Sequence, residues 1–529
     1  MIYICSIKNL GNLIMKKTLT STILFIFISL NSFIFSTTYY VSPTGLSTNS
    51  GSILSPLNFS SAIGKYLVVG DSLIFRGGTY SFSTTQSFSK SGAAGNLIHY
   101  VAYQSEIPIF DFRTQVYNSN SRGLNLSGNY MHIKGITVQG AGDNGFYVEG
   151  NYCLIEQCTA RWNSDSGFQF KVGSNNYILN CDSYENFDYE SGGLSSPDYG
   201  GNADGFADKQ YTNTGTNKYK GCRSWRNGDD GWDSYQKVGN TVYDSCWCLS
   251  MSPATFDMSQ HIRFKTDSAS WFVNFKSTNY IMRNYGNGNG FKLGGDYTKN
   301  NATLNNCISV NNPVKGFDQN NNDGIMTVSN CTAYNNGSNY GFSNSSYGTL
   351  IIKNCVSLSS KGSNSFNSKS VTQAYNTWNA GFSCSSSDFV SLDYSQMLNA
   401  RQPDGSLPEI TLLHLVPTSA LIDKGTNLGY PFVGSAPDLG AFEYSTITGN
   451  SDISTSKTSI YYSRLENGII VNGSVSNIEI FGLTGKKLVS QQIKTNHMKI
   501  STSDWATGIY LVHLNTENNQ SVTQKIIVN

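Results

Sequence analysis

Asp229, Asp230 and Asp233 fall within five residues of one another and flank Gly231-Trp232. A fourth, Asp204, precedes Gly205-Phe206, and aligning the two Gly-aromatic pairs puts Asp230 at the phase of Asp204. Four carboxylates gathered in one patch repel one another unless a cation neutralises them. Oxygen-only ligands suit a hard cation, and Ca²⁺ with six to eight oxygens is the natural choice outside a cell. The competing reading is that aspartate is a common turn residue scattered among Asn and Gly. Lys292, in Asn289-Gly290-Phe291-Lys292-Leu293, lies two residues after its glycine, as Asp233 does after Gly231. A lysine there, beside a bound cation, would be a candidate proton acceptor; the alternative is an ordinary surface lysine. Lys209, Arg223, Arg226, Lys237 and Arg283 lie in the same region and would suit an anionic sugar, or are solvated faces.

These residues share a phase because the middle of the chain repeats. Cys158 to Cys181 is 23 residues, and Cys222 to Cys246, Cys307 to Cys331 and Cys331 to Cys355 are 24 each. That is a repeat phase and not a disulfide pairing scheme, although many cysteines in an exported chain first suggest disulfides. The units read Ile155-Glu-Gln-Cys158, Asn163, Gly167-Phe168; Tyr219-Lys-Gly-Cys222, Asn227, Gly231-Trp232; Leu304-Asn-Asn-Cys307, Asn311, Gly316-Phe317; and Val328-Ser-Asn-Cys331, Asn335, Gly341-Phe342. A period of this length marks a solenoid. Short runs of β-formers separated by Asn and Gly predict a parallel β-helix with coils about 4.8 Å apart. Cysteines would form an inward ladder, asparagines a ladder along a turn, and aromatics a stack. Lys292 is expected about two coils beyond Asp233, roughly 10 Å by strand spacing, with a loop bulging out within 244–283. A short helix near Phe59 to Tyr66 would cap the first coils, and the solenoid is expected to close at Ala436-Pro-Asp-Leu-Gly-Ala-Phe-Glu-Tyr444.

The ends differ. Lys16 and Lys17 followed by an apolar run from Thr18 to Phe35 form a signal-peptide pattern over residues 1–36, with Met15 a candidate start and a membrane anchor the alternative. A β-helix over 37–444, a Ser/Thr/Gly/Asn-rich linker over 445–457 and amphipathic strands over 458–529, read as a small β-sandwich, complete the all-β chain. Charged residues are 13% of 529, and 36 basic against 35 acidic residues leave a net charge of +1. Binding of a polyanion by overall charge is therefore excluded, a local patch is required, and no nucleic-acid partner is expected. Six histidines form no sequence cluster, so no zinc site is proposed. The protein is expected to be exported and monomeric.

At Ala203-Asp-Gly-Phe-Ala207, Gly221-Cys-Arg-Ser-Trp-Arg-Asn-Gly-Asp-Asp-Gly-Trp-Asp233 and Gly288-Asn-Gly-Phe-Lys-Leu-Gly-Gly295 the sequence resembles polysaccharide lyase family 9, pectate lyases built on a right-handed parallel β-helix. The resemblance covers residues 38–444. It implies Ca²⁺ bound by Asp204, Asp229, Asp230 and Asp233, and Lys292 as the base in a β-elimination on polygalacturonate, with activity rising toward alkaline pH. The stretch 244–283, with Cys246-Trp-Cys248, departs from the family pattern. The C-terminal segment resembles the sorting domain of type IX secretion cargo, through Gly508-Ile-Tyr and Lys525-Ile-Ile-Val-Asn529, and implies that secretion machinery as a partner. Rival readings are a rhamnogalacturonan lyase, a β-helix glycoside hydrolase using two of the carboxylates without metal, and a non-catalytic surface adhesin.

Overall fold

Seven successive coils of the solenoid turn a corner on a residue with positive φ followed by an inward cysteine. Gln157, Asn180, Gly221, Ser245, Asn306, Asn330 and Asn354 have φ between 50° and 60°. Asn and Gly tolerate that left-handed conformation, which explains why Asn-Cys recurs. The cysteine that follows enters the core and is fully buried. Among the described residues all cysteines are free thiols, so this ladder is packing, with cysteine acting as a small hydrophobe.

The computed structural model describes residues 36–189, 199–212, 214–261 and 281–444, and in the C-terminal part 459–463, 468–472, 475–482, 486–492, 497–506, 508–516 and 521–528. The signal-peptide reading and the linker lie outside the described residues. Two compact units divide after Tyr444. The first is a right-handed parallel β-helix of three sheets, with twelve, ten and ten strands. One coil runs through Thr216–Lys220 in the first sheet, Arg223–Trp225 in the second and Trp232–Asp233 in the third.

Ladders hold the coils in register. In the third sheet Phe146, Phe168, Phe206, Trp232, Phe291, Phe317 and Tyr340 stack with ring centroids 4.6–5.3 Å apart, matching the strand spacing. The structure departs from the expected repeat in two places. Tyr340 takes the stacked position on Phe317, so Gly341-Phe342 lies two residues out of phase. Asn311 and Asn335 are left-handed turn residues, and the buried ladder uses Asn312 and Asn336 beside Asn163, Asn186 and Asn227. Asn163 Nδ2 donates to Asn186 Oδ1 (2.9 Å) and Asn186 Nδ2 to Asn227 Oδ1 (2.8 Å). At the next coil Met251 replaces the asparagine, and its backbone N donates to Asn312 Oδ1 (3.0 Å).

Trp247–Leu249 is an ordinary strand of the second sheet, between Arg223–Trp225 and Ile308–Val310. The chain therefore leaves the coil after it, near Ser250. It forms an antiparallel pair, Thr255–Asp257 with Ile281–Arg283, and rejoins the third sheet at Phe291–Lys292. The expected cap is present as a helix, Phe59–Ile63, with Asn58 Oδ1 accepting from Ser61 N and Phe59 packed on the first aromatic side chains. The expected closure at 436–444 is not a coil. The last coil strand is Ser370–Ala374, and the chain beyond packs along the second sheet, Gly440 N donating to Asn354 O (2.9 Å). That sheet faces outward with Trp247, Ile308, Val310 and Val356, and Leu412, Leu415, Leu421 and Leu439 cover them; exposed apolar strands require such cover.

The second unit is antiparallel throughout. One sheet holds Ser459–Ser463, Gly468–Asn472 and His497–Ser501, and the other Lys487–Gln492, Val475–Gly482, Gly508–Thr516 and Ser521–Val528. Ile469, Val471, Ile478, Ile480, Val512 and Leu514 form its core.

Candidate active site

The third sheet carries the chemistry, and the aromatic stack fixes its phase. The residue before each of the first six rings is glycine, where the second sheet passes close: a Cβ on Gly205 would lie 2.0 Å from Ser224 Oγ, and one on Gly231 2.3 Å from Cys248 Sγ; only Tyr340, at the end of the stack, follows an asparagine, Asn339. One residue before that glycine stand Asp204, Asp230 and Asn289, and one residue after each ring stand Ala207, Asp233 and Lys292. Asp233 pairs directly with Lys292 in adjacent strands. The two are therefore one coil apart and not two, because the 58 intervening residues hold a single coil plus the excursion. The phase read from the sequence was right and the coil count was wrong.

Asp204, Asp230 and Asp233 each present an oxygen within 4.8 Å of the others, and all three are buried. Asp204 Oδ1 accepts from Asp230 N (3.1 Å) and Oδ2 from Lys209 Nζ (2.9 Å). Lys209 Nζ also pairs with Asp233 Oδ2 at 2.8 Å. Lys292 Nζ stands 3.0 Å from Asp230 Oδ2 and 3.4 Å from Asp233 Oδ1. Asp229 is buried beside the triad without belonging to it, its Oδ1 held by the backbone N–H of Asn287. Asn289 fixes Asp230 from below, donating backbone N (2.7 Å) and Nδ2 (2.9 Å) to Oδ1.

The cluster is electrostatically tense. Burial, then Asp233 and Asp230, push Asp204 up to about 7 against the pull of Lys209. Burial and neighbouring carboxylates also raise Asp229 and Asp230. Asp233 is equally buried, yet Lys209 and Lys292 hold it below the usual carboxylate range. Burial alone would lower the Lys292 ammonium, but Asp230 and Asp233 outweigh it and hold its pKa well above the ordinary value. Fully ionised, the four carboxylates exceed the two ammoniums by two negative charges, the complement of one divalent cation, and the raised pKa values of Asp204, Asp229 and Asp230 reflect burial and that uncompensated charge. Asn289 Oδ1 is buried and accepts no hydrogen bond, and among the described residues Asp230 Oδ2 meets only the Lys292 ammonium, at 3.0 Å. Buried polar atoms normally have partners, so these oxygens, with the all-oxygen donor set, fit a hard divalent cation.

The other basic residues do not gather here. Arg223 is bound to Asp182 (2.8 Å) and to the carbonyls of Met397 and Asn399. Lys237 is fully buried against Asp208, Arg226 lies against Glu185, and Arg283 rests over Tyr285. Their partners come from other sheets and loops, which residue phase alone does not reveal. Sequence reasoning also assigned no role to Asn289, although it stands at the phase of Asp204 and Asp230. On one flank, the excursion anchors Asn284 Nδ2 to Gly228 O (2.9 Å) and packs Phe256, Met258 and Met282 against Phe187 and Tyr199.

The family model for the Pel9A-like, right-handed β-helix region matches residues 39–364, a span containing Asp204, Asp229, Asp230, Asp233 and Lys292. This chain belongs to the Pel9A-like family. Pectate lyase L of Dickeya chrysanthemi is 37% identical over 418 residues, covering 77% of this chain and 90% of that protein. The crystal structure of pectate lyase Pel9A superposes with a TM-score of 0.66 at 35% identity, over 79% of this chain and 98% of that one. A rhamnogalacturonan lyase superposes with a TM-score of 0.59 at 25% identity, over 72% and 97%. Like its family, the chain is a polysaccharide lyase. Residues 459–529 match a secretion system C-terminal sorting domain, and the protein is secreted or attached to the cell surface.

Proposed function

We propose that this protein is a calcium-dependent pectate lyase that cleaves polygalacturonate by β-elimination. The observation that carries the reading is a lysine set against three converging carboxylates, Lys292 Nζ being 3.0 Å from Asp230 Oδ2, on a Pel9A-like β-helix. Asp204, Asp230 and Asp233, with Asp229 beside them, would hold Ca²⁺. A cation held there supplies positive charge to the uronate carboxylate, which acidifies the proton on C5. Lys292 Nζ, as the free amine, accepts that proton. The C5–H pair becomes the C4–C5 double bond as the C4–O bond breaks, and the departing glycosidic oxygen takes a proton from water. The carboxylates that keep Lys292 charged are the same groups a cation would compensate, so cation binding favours the neutral base. This predicts activity rising toward alkaline pH.

Incubation with polygalacturonate and Ca²⁺ tests the reading. Elimination gives an ultraviolet-absorbing unsaturated end. A hydrolase would give reducing ends without that absorbance, and an adhesin would bind and release nothing; either result overturns the proposal. The superposition on a rhamnogalacturonan lyase favours rhamnogalacturonan as the second substrate to assay. The sorting domain supports export by type IX secretion machinery, with the N-terminal apolar run as the signal peptide.

A further inference from the structure

The face of the third sheet continues past the acidic cluster toward the earlier coils, and its character changes there. In the row three residues after each stacked ring, Lys171 is the register equivalent of Lys209 one coil back, since Phe168–Phe170 pairs with Phe206–Asp208. Lys171 has no ion-pair partner among the described residues, and its ammonium rests 4.7 Å from the ring centroid of Tyr211, which is 52% exposed. Glu149, one coil earlier in the row, accepts from Asn125 Nδ2 (3.0 Å). In the row one residue after each ring, Tyr147 and Gln169 precede Ala207 and Asp233. The Arg122 guanidinium lies 3.6 Å from the Tyr147 ring centroid. Its nearest carboxylate, Asp143, is 3.8 Å away and the more buried partner, with 9% of the side chain exposed against 26% for the arginine. Arg122 Nε donates no hydrogen bond.

We infer that the strip Arg122, Tyr147, Gln169, Lys171 and Tyr211 extends the groove to further uronate residues on the side of the earlier coils, with Lys171 and Arg122 taking their carboxylates. The inference rests on the uronate polymer proposed above. A sugar residue with its linkage spans about one coil rise, roughly 4.8 Å by strand spacing. Lys171 and Arg122 lie two coils apart, Phe168 pairing with Phe146 and Phe146 with Leu124, so a polyanion running toward the earlier coils would pass both. The Tyr211 ring, 52% exposed, supplies apolar surface for a sugar face, while the buried Tyr147, Gln169 and Ala207 form the floor beneath.

The test uses the full-length protein and oligogalacturonates from the trimer to the hexamer, with Lys171→Gln and Arg122→Gln singly and together. Hexamer binding is also measured by calorimetry on a Lys292→Ala background. The expected result is a loss in kcat/KM that grows with chain length, slight on the trimer and about tenfold per cation on the hexamer, the scale of one charge-assisted hydrogen bond partly open to water. Lys171→Arg should restore most of it, and the variants should keep the parent melting temperature. An equal loss on trimer and hexamer, or none, with the parent active, overturns the subsite alone. A parent that neither cleaves nor binds these oligomers overturns the subsite together with the proposed function.

Discussion

Lys292 and Lys209 carry the same charge in the same cluster, yet they face different oxygens. Lys209 bridges Asp204 and Asp233, whereas Lys292 stands against Asp230, its Nζ 3.0 Å from Oδ2. Asn289 creates that asymmetry by occupying Oδ1 with two donors. Asn289→Ala should therefore weaken calcium affinity by about 10–100-fold, the usual cost of losing a group that orients a metal ligand; calcium titration by calorimetry checks it. A second carboxyl pair lies nearby in the earlier coils. Burial and then Asp165 push Asp143 up to about 8. A carboxyl whose folded pKa is raised keeps its proton while the unfolded chain loses it. Its contribution to stability is complete below about 4 and is lost as pH rises through about 8. Asp143→Asn should accordingly be more stable than the parent at alkaline pH, by at least about 1 kcal/mol and with a higher melting temperature, the gap closing as pH falls toward 4. Thermal unfolding at several pH values measures it.

At the scale of elements, the ladders explain how a chain with few charges holds its site in place. Asn186 accepts from Asn163 N and Nδ2 and donates to Asn227 Oδ1. Asn186→Ala leaves several buried groups unpaired, and denaturant unfolding should show a loss on the order of 3 kcal/mol. The same regularity made the fold legible. Asn-Cys corners and Gly-aromatic pairs announced the period, the three sheets and the phase of Asp204, Asp230, Asp233 and Lys292. What stayed hidden has physical causes. Met251 can replace a ladder asparagine because its backbone N–H does the bonding. The excursion after Leu249 added chain without adding a coil, so residue counting placed Lys292 too far away. Tyr340 could take the stacking position of Phe342 because both are rings two residues apart on one face of a strand. The strap from Trp378 to Tyr444 lacks any period, and only the apolar outer face of the second sheet shows why it is there.

At the scale of the whole molecule, cleavage and export are divided between two units with separate cores. All candidate site residues lie in the first. Ending the chain at Tyr444 should leave calcium-dependent cleavage within about twofold of the full chain and abolish delivery outside the cell; secretion assays alongside activity in lysates check both halves. The central claim is narrower than this division of labour. It is that Lys292 takes the C5 proton while the aspartates hold the cation. The decisive measurement is the rate of unsaturated product formed from polygalacturonate by Lys292→Ala at saturating Ca²⁺, paired with calcium calorimetry on the same variant. The account predicts a fall in rate of about 10²–10⁴-fold, the usual worth of a positioned base, with calcium still bound. A variant that binds calcium and keeps the parent rate would contradict it.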